Sequence, residues 1–439
     1  MNANTAPLSL LSRADQAIPG ACFGYTRVPD ADAFVASHGR GSRLFTADGR
    51  EFIDYTLGSG PLLLGHAHPR VTSAIAQQAA LGTHFYAMNE PAIQLAELII
   101  DSVPGAEAVK FCADGSQATF FAMRLARAAT GRQTVMKFAG AYHGHHDYAL
   151  PSFPGNPDDT GAVGTEYLGI PVGATERVVV AEYNSIESAR NVALQHRADL
   201  AAIIVEPVQR SLPPMPGFLA GLRALADETN AQLIFDEVVT GFRLSRGGAQ
   251  ELYGVRADIV ALGKAIGGGT AVGAVVGPRD LLSYLVPDQP GAQQRVFMSG
   301  TLNGNPLGAA AGLALLQELD EAGGRDLIAD HVTELAGGIS ALCREKGIAA
   351  AILGPDTFFD VVFSPRAGAV TSLRSYLSTN RAAAYSFGEE LLRRGIYVVP
   401  GGKFYASAVH DAADTAQFLE AASEALDAVK SRHPGITHE

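Results

Sequence analysis

Short apolar runs that alternate with helical patterns constrain this chain more than anything else in it. Residues 134–138, 177–181, 200–205 and 232–235 are apolar and mostly rich in β-branched side chains, and stretches of helical spacing such as 216–230 separate them. Buried strands alternating with helices require a mostly parallel sheet covered on both faces, which binds ligands outside the carboxyl ends of its strands. The expected fold class is therefore α/β with a mostly parallel central sheet, and the residues after each run are where chemistry belongs. They are polar. The first run leads to Ala141-Tyr142-His143-Gly144-His145-His146-Asp147, the third to Glu206-Pro207-Val208-Gln209-Arg210 and the fourth to Asp236-Glu237. A further run at 109–112 leads to Asp114-Gly115-Ser116-Gln117 at the start of a helix. Free N–H groups and the helix dipole make such a turn a ready anion site, although an ordinary capped helix reads the same way.

The stretch 231–269 carries the sharpest chemistry. Asp236 ends an apolar run, and Lys264 sits in the glycine-rich turn Leu262-Gly263-Lys264-Ala265-Ile266-Gly267-Gly268-Gly269. A carboxylate at the mouth of a strand can hold a protonated ring nitrogen. A lysine in a cramped apolar turn has its pKa lowered and becomes a nucleophile toward an aldehyde. Together they point to pyridoxal phosphate. Placed after three apolar residues, an unpaired Asp236 would be costly, so a cationic partner is expected for it.

Composition narrows the partners. A formal net charge of −12 without a dense Lys/Arg run argues against nucleic acid, and no apolar run approaches the length of a membrane span. Cys22, Cys112 and Cys343 have no metal-ligand spacing and cannot all pair, which fits a reducing compartment; with no leader pattern at residues 1–20, a cytoplasmic location is expected. At 439 residues the chain is long enough for one large domain and a smaller one. Boundaries are expected near 65 and 322: an amino-terminal segment with a hairpin turning at Asp48-Gly49, a large domain over 66–322, and a carboxyl-terminal α+β portion over 323–439. The Pro/Gly/Asp-rich stretch 150–172 reads either as a surface excursion or as a cover over the site.

With these residues in place, the chain resembles the class III PLP-dependent aminotransferases, most closely the glutamate-1-semialdehyde 2,1-aminomutases and their transaminase relatives. The resemblance rests on GHAHP (65–69), ADGSQAT (113–119), KFAGAYHGHHD (137–147), VEP (205–207), FDEVVTGFR (235–243), LGKAIGGG (262–269) and SGTLNGNP (299–306). It implies fold type I and a homodimer whose active sites lie at the subunit interface. Lys264 would bond the cofactor aldehyde and shuttle the proton between Cα and C4′, Asp236 would pair with the pyridine nitrogen, and Tyr142 and Val238 would cover the two ring faces. Gly115, Ser116 and Gln117 would form the phosphate turn, joined by Gly300 and Thr301 from the second subunit. His143 would belong to the cofactor floor, which sets aside a metal reading of His143, His145 and His146. Gln209 would meet the ring hydroxyl and Arg27 a substrate carboxylate.

The chain also departs from the resemblance. The turn reads Asp114-Gly115-Ser116-Gln117 where Ser-Gly-Thr-Glu is commoner, Gln209-Arg210 differs from the aminomutases, and the 150–172 stretch matches their lid only loosely. The leading expectation is an aminotransferase acting on an amino acid and a keto acid or aldehyde. Intramolecular transfer by an aminomutase is the main alternative, a racemase a weaker one, and a non-catalytic protein of the same fold is disfavoured by the presence of both Lys264 and Asp236.

Overall fold

The computed structural model describes residues 9–24, 28–156, 158–287, 295–364 and 370–437. Its centre is an eight-stranded sheet in the order Ala108–Cys112, Gly273–Gly277, Ile259–Leu262, Gln232–Asp236, Leu200–Val205, Thr134–Phe138, Val178–Ala181 and Gly161–Ala162. The five strands from Ile259–Leu262 to Val178–Ala181 run parallel. Side chains along them alternate between two cores, as the period of a strand demands. Met136, Phe138, Ile203, Val205, Leu233 and Phe235 join the helices Ile186–Gln195 and Phe218–Thr229 on one face. Val135, Ala202, Ile204 and Ile234 join the helix Gly115–Thr130 on the other.

Two of these strands were not among the expected apolar runs. Ile259–Leu262 abuts the lysine turn, and Gly273–Gly277 lies antiparallel to both neighbours, so neither follows the alternation of strand and helix that marked the others.

Two smaller sheets complete the molecule. One is four-stranded and draws on both ends of the chain: Ala36–Arg40, Arg43–Thr46 and Glu51–Asp54 form a meander with Leu44 opposite Phe52, and Ile396–Tyr397 pairs in parallel with Ile53 and Asp54. The other joins Ala350–Leu353, Phe358–Phe363 and Phe404–Tyr405. No helix among the described residues is long and apolar enough to cross a membrane.

Candidate active site

The carboxyl ends of the parallel strands open into a cavity of about 440 Å³. Gly115, Ser116, Tyr142, His143, Glu206, Asp236, Val238 and Lys264 line it, so strand ends far apart in the chain converge there.

Lys264 follows the strand Ile259–Leu262 and starts the short turn Lys264–Gly267 with φ 46°, in the left-handed region. A lysine there carries strain of about 1–3 kcal/mol, held in place by packing around it. Gly268, at φ 57°, allows that packing: a Cβ at this position would lie 2.4 Å from the Ala311 carbonyl oxygen, in the helix Pro306–Glu321 behind the turn. Burial lowers the pKa of Lys264, with Lys403 and Arg243 acting in the same direction. The buried amine is thereby biased toward its neutral, nucleophilic form.

Asp236 ends the strand Gln232–Asp236. Its Oδ2 meets His143 Nδ1 at 2.8 Å, and its Oδ1 accepts the Val238 N–H at 3.1 Å. Burial, and the Lys137 ammonium after it, push the His143 pKa down to about 3, so at neutral pH His143 gives Asp236 a hydrogen bond and no charge. The expected cationic partner is therefore absent from the described residues: no lysine or arginine forms an ion pair with Asp236, and burial pushes its pKa up to about 7. A cationic ring nitrogen would fit this buried acid.

The His143 loop is held from below. Lys137, itself buried, donates from Nζ to the carbonyl oxygens of Ala141 at 3.0 Å, Ala149 at 2.5 Å and Pro151 at 2.8 Å. Tyr142, half-exposed, presents its ring in the cavity, and Phe153 leans on it at 5.1 Å between centroids. Phe153 belongs to the 150–172 stretch, which is tied to the sheet edge through Gly161–Ala162.

The helix Gly115–Thr130 supplies the anion end. Asp114 caps it by accepting the Gln117 N–H at 2.8 Å, and the Ser116 hydroxyl oxygen accepts the His145 N–H at 2.9 Å. That leaves the Ser116 O–H as a donor to a phosphate. Gly115 makes room for Val238, since a Cβ there would fall 2.6 Å from Val238 Cγ1. Gly115→Ala is accordingly expected to lower cofactor affinity about tenfold, at the scale of about 1–3 kcal/mol for overpacking. Equilibrium titration of the apoprotein measures it, and adding Val238→Ala should restore most of the loss.

Several expected contacts fall elsewhere. Gln117 does not line the cavity, because its Oε1 accepts the Ala113 N–H at 3.2 Å and completes the helix cap. Gln209 does not line it either. Its buried amide donates to the Ala139 carbonyl at 2.6 Å, while Arg210 donates to the Pro154 carbonyl at 2.5 Å, so both brace the loop beneath Tyr142. Gly300 and Thr301 lie in the turn before the helix Pro306–Glu321, outside this chain's cavity. Arg27 lies outside the described residues.

Glu206 was passed over. It directly follows the buried strand Leu200–Val205, whose parallel register sets Val205 against Phe235 and hence Glu206 beside Asp236. Its Oε2 accepts the Tyr142 N–H at 3.0 Å. The signal was present in its position at the end of the strand. Among the described residues no cluster of His, Cys, Asp or Glu could hold a metal ion.

The family model for class III aminotransferases matches residues 26–404. The chain belongs to the class III aminotransferases. As a member of that family it is a PLP-dependent enzyme, and the buried acid, the buried lysine and the helix terminus around one cavity are the features that group requires. This class III enzyme is 40% identical over 426 residues to a glutamate-1-semialdehyde 2,1-aminomutase of Nitratidesulfovibrio vulgaris, covering 94% of this chain and 97% of the relative. It is 37% identical over 428 residues to one of Methanopyrus kandleri, covering 96% and 97%. Among solved structures, an omega-transaminase from Sphaerobacter thermophilus superimposes with a TM-score of 0.89 at 32% identity, covering 96% of this chain and 97% of that one.

Proposed function

We propose that the enzyme moves the amino group of a small carboxylate-bearing molecule, with Lys264 as the proton-transferring base. The observation that carries the proposal is Asp236: a buried carboxylate with only a neutral histidine and a backbone N–H beside it, facing the cavity that Lys264 also lines. When bound, PLP supplies the electron sink for the carbanion at the substrate Cα. Asp236 would keep the ring nitrogen protonated. Tyr142 and Val238 would hold the ring between them, and Gly115 and Ser116 would bind the phosphate at the helix terminus. Lys264, its pKa lowered by burial, would take the Cα proton and return it at C4′.

Two forms of this reaction are open. Intramolecular transfer, as by glutamate-1-semialdehyde 2,1-aminomutase, is the form supported by the names of the full-length relatives at 37–40% identity. Intermolecular transamination is supported by the similarity to the omega-transaminase fold, and by the Gln209-Arg210 pair, which sets this chain apart from the aminomutases and is spent on bracing a loop. Supplying the semialdehyde with no acceptor separates them. Conversion to the rearranged amino acid supports the mutase, whereas a cofactor that changes form only with an external donor, and needs a keto acid to return, supports the transaminase.

On the family resemblance, Arg27 is proposed as a carboxylate clamp, since a guanidinium fork matches a carboxylate. Arg27→Ala should raise KM roughly tenfold for acidic donors and leave neutral amines unchanged; equal effects on both would remove it from this role. A homodimer is also proposed. Leu81, Phe85, Tyr86, Met88 and Phe297 are exposed, and Asn89 bonds the Gly304 carbonyl at 2.8 Å, which brings this apolar surface to the turn that carries Thr301. A monomer mass for the holoenzyme in sedimentation equilibrium would count against it.

A further inference from the structure

We infer that Lys403 is a cation that receives a carboxylate of the substrate at the carboxyl-terminal side of the cavity. This rests on the amino-transfer reading and adds to it a recognition group and an acidic substrate class.

Lys403 follows a tight turn containing Gly401 at φ 70° and precedes the strand Phe404–Tyr405. Its side chain is partly buried, and it makes no ion pair or hydrogen bond among the described residues. The ammonium lies 5.3 Å from the centroid of the Phe358 ring. Phe358 pairs across strands with Tyr405, their rings 5.6 Å apart. Tyr405 in turn packs on Gly60, where a Cβ would lie 2.9 Å from Tyr405 Cε1, and Gly58 and Pro61 on either side of Gly60 line the cavity. Lys403 is therefore seated on the wall that closes the cavity from the carboxyl-terminal part of the chain. Its charge acts on Glu206, Asp236, Lys264 and Tyr405 at once.

The other charged groups there are already committed. Asp236 and Lys264 face the cofactor's ring nitrogen and aldehyde, and the phosphate has its donors at Gly115 and Ser116. Arg243, fully buried, donates to the carbonyl oxygens of Gly60 at 2.6 Å, Thr357 at 3.1 Å and Ala406 at 3.2 Å. Glu206 accepts the Tyr142 N–H. Lys403 is the cation left over, and its cation–π seat on Phe358 supplies about 0.5–1 kcal/mol, less than an ammonium gains from a desolvated carboxylate. An acidic substrate supplies the missing partner.

The test uses the holoenzyme and two variants, Lys403→Met, which keeps an apolar stem over Phe358, and Lys403→Arg. Glutarate, an unreactive dicarboxylate, is titrated by calorimetry and by its perturbation of the cofactor absorption band. The wild type and Lys403→Arg should bind it within about threefold of one another, and Lys403→Met should bind at least about tenfold more weakly, or about 1.4 kcal/mol. Cofactor occupancy and melting temperature should stay at wild-type values in both. Unchanged glutarate affinity in Lys403→Met overturns the inference, as does a wild type that binds no glutarate. Loss of cofactor from Lys403→Met also overturns it, because Lys403 would then act through Asp236 and Glu206. Failure of the amino-transfer reading would look different: a wild-type cofactor band that no amine donor alters.

Discussion

Lys264→Ala should reduce turnover by roughly 10⁴-fold or more and abolish the cofactor–protein bond that borohydride traps in the wild type. The substitution removes both the nucleophile and the only amine seated in the apolar turn, and general acid–base catalysis alone contributes about 10²–10⁴-fold. Mass spectrometry of the borohydride-treated protein reads the bond directly, without depending on the choice of substrate. A modified peptide that persists in the variant would assign the bond to another lysine. The fold should survive the change, because an alanine at φ 46° costs no more than the lysine it replaces and the Gly268 contact with the neighbouring helix is untouched.

The second large effect is expected at Asp236. Asp236→Asn removes the charge that faces a ring nitrogen and should weaken cofactor binding by about 3–5 kcal/mol, roughly 10²–10³-fold, the scale of breaking a buried ion pair. The same substitution has a pH signature in the apoprotein. Burial raises the folded-state pKa of Asp236 from 3.8 to about 7, so between those values the folded protein binds more protons than the unfolded one. Stability from this group is therefore fully present below about pH 4, falls as the pH rises, and is gone above about 7, for a total of at most about 4 kcal/mol. Asn does not titrate. Glu237, also raised to about 7, titrates in the same window in both proteins, so the difference between wild type and variant isolates Asp236. Urea unfolding of both apoproteins at several pH values checks this. A wild-type advantage that grows with pH would mean that another group already neutralises the carboxylate.

How much of this was legible in the sequence depends on how far each residue's position rests on local pattern. Asp236 and Lys264 were readable because an apolar run and a glycine turn fix where a strand stops and the chain tightens. Tyr142 and His143 follow a strand in the same way, and both line the cavity. Gln209 was misplaced by its chemistry: an amide suits a ring hydroxyl, but a turn between Gln209 and Leu212 directs it to Ala139 instead. Glu206 shows the converse, since its register beside Asp236 exists only once the two strands are paired. Gln117 looked like part of the phosphate turn, and the same spacing makes it part of a helix cap. Lys403 and Tyr405 could not be found by local reading, because they reach the site through a sheet assembled from opposite ends of the chain.

That sheet has a mechanical consequence. Tyr55 donates to the Tyr397 carbonyl at 2.8 Å, Tyr405 to the Tyr55 carbonyl at 2.8 Å, and Ala408 to the Leu63 carbonyl at 2.8 Å. Residues 53–63 and 395–408 are thus laced into one slab, and a force applied at residue 403 is transmitted to Gly58 and Pro61 without passing through the large sheet. A loop graft or a truncation at either terminus loads both ends of that slab, so the beginning and end of this chain are a single engineering target.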